Sequence, residues 1–329
     1  MPDAPHQPSL SIVIVSWESG VDVVECVRSL AAAGAPGHVS PELIVVDNGS
    51  REPSVGPIKE NWPGASVIVN DSNRGFGPAA NQGAAAARGD FVLFLNPDTR
   101  AVDAPLTQLL AAFANRSDAV AVAPRLLESD PSPEHGLRVP QLRRLPTLAH
   151  VAREMFLIDR AFPRSRWLAR DRYLDRDQGE PFEVEQPAAA ALAVRREAFL
   201  GIGGFDERFV PAWFEDVDLC ARLLRVGPIL YWPASCFVHR GGAAAAALGY
   251  DQFLPIHYRN AIRFWRKHHG VWAALAYRAL VCAGMLLRLG VLPFSPAPAP
   301  KRTAARAYAR VLRGAAGLGW NIDARANGT

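Results

Sequence analysis

Leu43-Ile44-Val45-Val46-Asp47-Asn48-Gly49-Ser50 is a short aliphatic run that stops at an acid and a turn. Four consecutive apolar residues between polar ones read as a strand buried on both faces, and Asn-Gly as the turn that ends it. The same pattern recurs on either side. Upstream, Leu10-Ser11-Ile12-Val13-Ile14-Val15 stops at Ser16-Trp17-Glu18. Downstream come Val67-Ile68-Val69 and Phe91-Val92-Leu93-Phe94-Leu95, the latter stopping at Asn96-Pro97-Asp98. Helical stretches alternate with these runs: Asp22 to Ala33, the Ala-rich Pro78 to Arg88, and Pro105 to Ala114, with a further strand over Ala119 to Ala123. This alternation predicts an α/β fold with a mostly parallel central sheet and flanking helices. Ligands of such sheets bind beyond the carboxyl ends of the strands. Ser16, Asp47 and Asp98 all stand at such ends.

The remainder departs from this rhythm. Ten arginines lie between Arg138 and Arg176, among aromatic and aliphatic residues, so residues 137–178 read as an insertion or helical subregion. A strand resumes over Ala188 to Val194, Gly201 to Asp206 is a glycine-rich turn, and two short strands, Ile229 to Trp232 and Cys236 to Val238, lead to His239. In the tail, Val271 to Phe294 is apolar, but Arg278 and Arg288 leave an uncharged run of nine residues, too short to span a bilayer unaided. Residues 271–294 could embed in a membrane or form a homo-oligomer interface. Arg302, Arg306, Arg310 and Arg313 share one helix face, either a solvated face or the basic side of an amphipathic segment lying on an anionic membrane; we favour the second. The expected organisation is a disordered N-terminus (1–9), a main α/β domain (10–269) and a basic amphipathic helical tail (270–329). Within the domain, residues 10–125 and 186–269 form two halves around the arginine-rich insertion.

Charge follows the same division. The net charge of +4 combines +11 from Arg259 onward with −7 before it. An acidic body with a basic tail suggests a polyanionic surface as partner, nucleic acid or anionic lipid. The tail lacks regular aromatic interleaving, which argues against nucleic acid. Cys26, Cys220, Cys236 and Cys282 are scattered and form no CxxC pair, which fits a reducing compartment. Met1 to Pro8 has neither the basic nor the apolar region of a signal peptide.

Several constellations carry chemistry. No P-loop is present, and no GxGxxG follows the first strand. Asn73-Arg74-Gly75-Phe76-Gly77 instead opens a helix, with glycines that permit close backbone approach and an arginine suited to phosphate. Asp98 could cap a helix or hold a divalent cation that bridges two phosphates. An Asp and a His, with a diphosphate completing the shell, suit Mn²⁺ or Mg²⁺. Glu215-Asp216-Val217-Asp218 crowds three carboxylates into four positions between aromatic and aliphatic residues. Such crowding suits a general base or a cation site. It equally suits a helix start favoured by the helix dipole.

Taken in order, Asp47-Asn48-Gly49-Ser50, the segment Asn73 to Gly83 and Asn96-Pro97-Asp98 resemble the nucleotide-sugar half of a family 2 glycosyltransferase of GT-A fold. Val194-Arg195-Arg196, Gly203-Gly204-Phe205-Asp206-Glu207, Glu215 to Leu219 and His239 resemble its acceptor half. The subgroup most resembled is the rhamnosyltransferases of bacterial cell-wall and O-antigen assembly. The resemblance covers about Leu10 to His269. Four positions depart from the pattern: Glu18, Asn96 in place of the first acid of a DxD, Gln186 to Ala190, and Val210 to Phe214.

The resemblance implies an inverting transferase whose donor is a nucleotide sugar, dTDP-rhamnose being favoured. Its acceptor is a glycan or a polyprenyl-diphosphate-linked sugar, met at the cytoplasmic, inner face of the cell membrane. Ser16, Asp47, Asn73, Arg74, Gly75, Asn81 and Asn96 are implied as donor-binding, with Asp47 on the base or ribose. Asp98 and His239 are implied as ligands of Mn²⁺ or Mg²⁺, Asp216 as general base, and Glu215 as the acceptor contact. Asp218 is left a structural place in the helix. The alternative is a non-catalytic nucleotide-sugar or glycan-binding module with a vestigial site.

Overall fold

A computed structural model describes residues 9–34, 41–128, 137–138, 141–240, 248–294, 299–320 and 322. Residues 1–8 of the expected disordered N-terminus lie outside the described residues. Ser9 belongs to the fold, its backbone N–H and hydroxyl both bonded to Asp90 at 2.8 Å.

The first half runs β1 (Leu10–Ser16), α1 (Gly20–Ala33), β2 (Glu42–Asp47), α2 (Val55–Asn61), β3 (Ser66–Val69), α3 (Phe76–Ala86), β4 (Phe91–Leu95), β5 (Thr99–Val102), α4 (Pro105–Asn115) and β6 (Ala121–Glu128). The arginine-rich region follows as β7 (Leu137–Arg138), β8 (Leu142–Arg143), α5 (Leu148–Met155), α6 (Ile158–Ala161) and α7 (Arg166–Asp171). Next come β9 (Phe182–Val184), β10 (Gln186–Pro187), β11 (Ala191–Arg195), α8 (Arg196–Gly201), α9 (Glu215–Leu223) and β12 (Ile229–His239). Two helices close the chain, α10 (Tyr250–Val291) and α11 (Lys301–Ala315).

The main sheet has the order β3-β2-β1-β4-β11-β6-β12-β5, with β7 and β9 added at β6 and β12. β3, β2, β1 and β4 are mutually parallel, as are β6 and β12, while β11 and β5 run antiparallel to their neighbours. The aliphatic runs read as doubly buried strands lie at the centre of this sheet, as their lack of alternation requires. Ile12, Ile14, Leu43, Val45, Leu93 and Leu95 face a layer that includes Val23, Val27 and Leu30 of α1 and Leu106 and Leu109 of α4. Val13, Val15, Ile44, Val46, Val92 and Phe94 face the other layer, with Ala79, Ala80 and Ala84 of α3, Phe199 of α8 and Leu219 and Leu223 of α9.

Three expectations change. Ile229–Trp232 and Cys236–Val238 are one strand, β12, whose register with β6 shifts between Trp232 and Cys236, where Pro233 cannot donate to the ladder. The strand expected from Ala188 begins at Ala191. The apolar side of the amphipathic tail segment faces another helix. The apolar face of α11, Ala304, Ala307, Tyr308, Val311 and Ala315, packs with Ala274, Tyr277, Val281 and Met285 of α10 in a third core, shared with Val217 and Ala221 of α9. Of the four basic-face residues, Arg310 pairs with Asp251 at 3.2 Å, and Arg302, Arg306 and Arg313 remain exposed. The 269/270 boundary falls at a kink inside α10, where Gly270 adopts φ 83°.

Candidate active site

Adjacent strand ends assemble the first cluster. Ser16 and Asp47 are register partners at the ends of β1 and β2, both almost fully buried. One carboxylate oxygen of Asp47 accepts the Ser50 backbone N–H at 2.9 Å and so closes its own turn. Asn48, quoted in the motif but given no role of its own, is the hub of this region. Its amide donates to Asn73 Oδ1 (3.0 Å) and the Gly75 carbonyl (3.1 Å), and its Oδ1 accepts from Asn70 Nδ2 (3.2 Å) and the Arg74 N–H (3.1 Å). Asn73 in turn accepts the Gly75 N–H at 2.8 Å. The loops after β2 and β3 are therefore wired to each other, with the Arg74 guanidinium left exposed.

Glycines are needed where these loops meet. A Cβ on Gly49 (φ 82°) would lie 2.5 Å from the Ser72 carbonyl carbon. At Gly75 (φ 90°) it would lie 3.0 Å from Val210 and 3.1 Å from the Pro211 carbonyl oxygen, which also accepts the Phe76 N–H at 2.7 Å. The close approach at Gly75 is thus to the acceptor half of the chain. Asn81 likewise faces that half. Its amide donates to the Phe205 carbonyl (2.9 Å) and Glu207 (3.0 Å) and accepts the Phe205 N–H (2.8 Å). With both ends of its amide engaged, Asn81 clasps the two halves together.

Asp98 and His239 are brought together by strand register. Antiparallel pairing of β5 with β12 sets Thr99 opposite His239, and His239 Nε2 lies 3.2 Å from Asp98 Oδ1. The other ring nitrogen, Nδ1, is buried without a hydrogen-bond partner. Among the described residues no group of three or more His, Cys, Asp and Glu side chains could hold a metal. Two ligands with an N/O donor set fit a divalent cation that takes its remaining oxygens from a diphosphate and water. A cleft beside Asp98 is lined by Asp22, Glu25, Arg100 and Arg240, charges that pair as Arg240 with Asp22 and Arg100 with Glu25.

The acidic cluster is the N-terminus of α9. Trp213 and Phe214 precede it, both in the left-handed region (φ 71° and 73°), where bulky residues are rare and strained. Asn260 of α10 holds them there. It is fully buried and donates to the carbonyls of Val210 (3.3 Å), Ala212 (2.9 Å) and Trp213 (3.0 Å). Sequence reasoning missed it. Its one signal is a polar residue on the apolar face Ile256, Asn260, Phe264.

Within the cluster the three acids differ. Burial would raise Asp218, but His268 (2.7 Å), Lys267 (2.6 Å) and Arg222 (2.8 Å) hold it below the ordinary carboxylate range, and the first two fasten α9 to α10. Glu215 is buried with Oε2 unpartnered, and burial followed by the charge of Asp216 pushes it well up. Burial also pushes Asp216 up, against backbone N–H bonds from Val217 and Ala189 and the charge of Arg143. Such a pair titrates together. The better-bonded Asp216 carries the charge, and Glu215 keeps the proton. Arg143, exposed on β8, faces Asp216 from one side. His257 packs on Phe214 at 5.1 Å, and burial followed by the charge of Arg143 pushes it down to about 4, so it stays neutral.

The residues 188–190 join the two clusters. The Ala189 backbone N–H faces Asp216 and favours its charge, and the next carbonyl, that of Ala190, accepts the Asn96 N–H at 2.8 Å. The acid end of α9 and the turn carrying Asn96 and Asp98 therefore meet neighbouring residues of one short segment. An activated carboxylate beside a candidate cation site, at the carboxyl end of a parallel sheet, can deprotonate a hydroxyl next to a phosphate-bearing ligand.

The chain is similar to proteins of known description. The family described as Glycosyl transferase family 2 matches residues 11–197. An N-acetylglucosaminyl-diphospho-decaprenol L-rhamnosyltransferase of Mycobacterium tuberculosis is 27% identical over 295 residues, covering 85% of this chain and 91% of that protein. A pre-mycofactocin glycosyltransferase of the same organism is 28% identical over 248 residues, 72% of this chain and 44% of that one. Among solved structures, the mannosyltransferase PcManGT of Pyrobaculum calidifontis, in complex with GDP-Man and Mn²⁺, superposes with a TM-score of 0.54 at 17% identity, over 96% of this chain and 88% of that chain. That likeness shows a shared GT-A fold.

Proposed function

Because this chain belongs to glycosyltransferase family 2, we propose that it is an inverting, metal-dependent rhamnosyltransferase using dTDP-rhamnose. The proposed acceptor is a glycan on a polyprenyl diphosphate, following the rhamnosyltransferase that the chain matches over most of both lengths. The observation that carries the reading is the pairing of Asp98 with His239, which the register of β5 and β12 brings to 3.2 Å.

Asp98 and His239 would hold Mn²⁺ or Mg²⁺, which when bound offsets charge on the donor diphosphate and on the departing nucleoside diphosphate. Asp47 and Ser16 border the base and ribose, and exposed Arg74 reaches the donor phosphates. Asp216 accepts the proton of the acceptor hydroxyl as that oxygen attacks the anomeric carbon opposite the leaving group, which inverts the centre. The Ala189 N–H favours the charge of Asp216. Glu215, neutral, offers a hydrogen bond to the acceptor. In the arginine-rich region, Arg143 places its charge near Asp216, and it suits the diphosphate of the acceptor lipid. The proposed setting is the cytoplasmic face of the cell membrane, where free thiols persist and a lipid-linked acceptor is within reach.

A panel of nucleotide sugars screened for thermal stabilisation with and without Mn²⁺ tests the donor, since a ligand of the native state raises the melting temperature. dTDP-rhamnose should give the largest metal-dependent shift. A larger shift with another sugar would reassign the donor, and equal shifts without metal would remove Asp98 and His239 as ligands.

A further inference from the structure

We propose that the outward face of α10 from Trp272 to Gly290 is a docking surface that lies flat on an anionic lipid bilayer. This goes beyond the transferase reading and stands on different residues. After the kink at Gly270, the exposed residues Trp272, Leu275, Ala276, Ala279, Leu286 and Gly290 are linked by steps of three, four and seven (272, 276, 279, 286, 290 and 272, 275, 279), so they share one face. None is charged. At the helical rise the stripe runs about 27 Å. Trp272 is 84% exposed and Leu286 58%, and Phe294, 90% exposed, follows at its end. Soluble monomers rarely leave so long an apolar surface open.

Length and composition alone would let this helix cross a membrane, and only 28% of its most apolar stretch is buried. The inward face is nonetheless taken. Tyr277, Val281 and Met285 are buried in the core shared with α5 and α11. Arg278 donates to the Ala315 carbonyl (2.6 Å), and Arg288 to those of Met155 (2.7 Å) and Glu154 (2.8 Å). Crossing would strip these contacts, whereas lying in the plane of the interface keeps them and covers only the outward stripe.

Charge selects the occupant. No Asp or Glu occurs between Gln252 and Ile322. The helix α11 runs antiparallel beside this part of α10, tied at one end by Arg278 to Ala315 and at the other by Lys301 to Pro293. Its exposed side chains include Lys301, Arg302, Arg306 and Arg313. A second copy docked by a two-fold axis would set these cations against one another. An anionic lipid surface neutralises them while the stripe enters the acyl boundary. The segment leaving α5 beside the Arg288 contact adds exposed Phe162 and Trp167 among exposed Arg164 and Arg166, a composition suited to the membrane interface.

The test is cosedimentation of the full chain with vesicles of phosphatidylcholine, alone or mixed with phosphatidylglycerol, at moderate salt. The chain should bind the mixed vesicles and release as salt rises. Trp272→Glu and Leu286→Glu, and separately the triple change Arg302→Glu, Arg306→Glu, Arg313→Glu, should each weaken binding about tenfold or more. These side chains are exposed, so the melting temperature should hold and report that the fold is intact. Transfer to a water-soluble acceptor should be unchanged, so a failure of the transferase reading would show there and leave vesicle binding untouched. Absence of binding to either vesicle, or binding indifferent to Leu286→Glu, overturns the proposal. So does a lipid-free dimer that Leu286→Glu dissolves, which would assign the face to a second copy.

Discussion

The donor-side and acceptor-side clusters meet at residues 188–190, yet they are built in opposite ways. On the donor side each functional group stands at the end of its own strand, and the loops are stabilised by one another through Asn48, Asn70 and Asn73. On the acceptor side the acids of α9 are held from a distance. The Ala189 N–H and the charge of Arg143 favour ionised Asp216, and Asn260 of the tail helix pins the strained Trp213-Phe214 approach. A site wired locally tolerates change elsewhere in the chain. A site held by remote elements inherits their stability, and Asn260, in the part of α10 before the Gly270 kink, therefore supports the proposed acceptor side.

The largest effect should come from the acceptor side. Asp216→Asn keeps the shape and removes the base, so transfer should fall about a hundred- to ten-thousandfold. Metal-dependent donor stabilisation should persist, because no donor contact is touched. Retained turnover would remove Asp216 as the base, and lost donor binding would show that the two clusters are not separable. Asn260→Leu is next. The Ala212 and Trp213 carbonyls would lose this donor, while that of Val210 keeps Arg259, at a cost of about 2–3 kcal/mol and a melting temperature lower by several degrees. Transfer should drop by more than donor binding does, which a KM and kcat measurement in each substrate would separate. Equal losses in both would break the comparison.

This asymmetry also explains what could be read from sequence. Buried strands that end in polar turns announce themselves locally, so β1, β2 and β4 and the places of Ser16, Asp47 and Asp98 follow from hydrophobic runs a few residues long. Asp98 and His239 needed the resemblance to be paired, because the strand register that joins them links residues far apart in the chain. Gly75 and Asn81 sat in a motif that reads as nucleotide-binding, yet they bond the acceptor half, a partner that only the folded chain reveals. The basic stripe of α11 was visible, but a helical pattern does not say whether its apolar side meets lipid or another helix. Here the aliphatic face of α10 was closer. Asn260 left no local trace beyond its place on an apolar stripe.

On the donor side, Asn48→Ala should have a smaller effect on chemistry than either acceptor-side change. It removes four hydrogen bonds among loops that retain other contacts, and should cost about 2 kcal/mol of stability. Donor KM should rise with kcat nearly unchanged. A fall in kcat as large as that of Asn260→Leu would mean that the donor loops also shape the acceptor site.

The smallest effect separates the two acids within α9. Glu215 is raised above its ordinary value of 4.5 by burial and by Asp216, so folding favours its protonated form. A carboxyl raised in the folded state stabilises below its unfolded pKa, and that contribution fades as pH climbs towards the folded value. Glu215→Gln mimics the protonated form at every pH. The variant and the parent should therefore melt alike near about pH 4, and the variant should melt higher near about pH 8. The acid limb of the rate profile should stay in place, because a neutral glutamate and a glutamine act alike on Asp216. A limb displaced to lower pH would mean that Glu215 is charged in the working enzyme, since its charge raises Asp216 and its loss would let Asp216 ionise sooner. The proton would then be shared across the pair rather than resident on the buried partner, and the division between a charged base and a neutral acceptor contact would fail at its closest point.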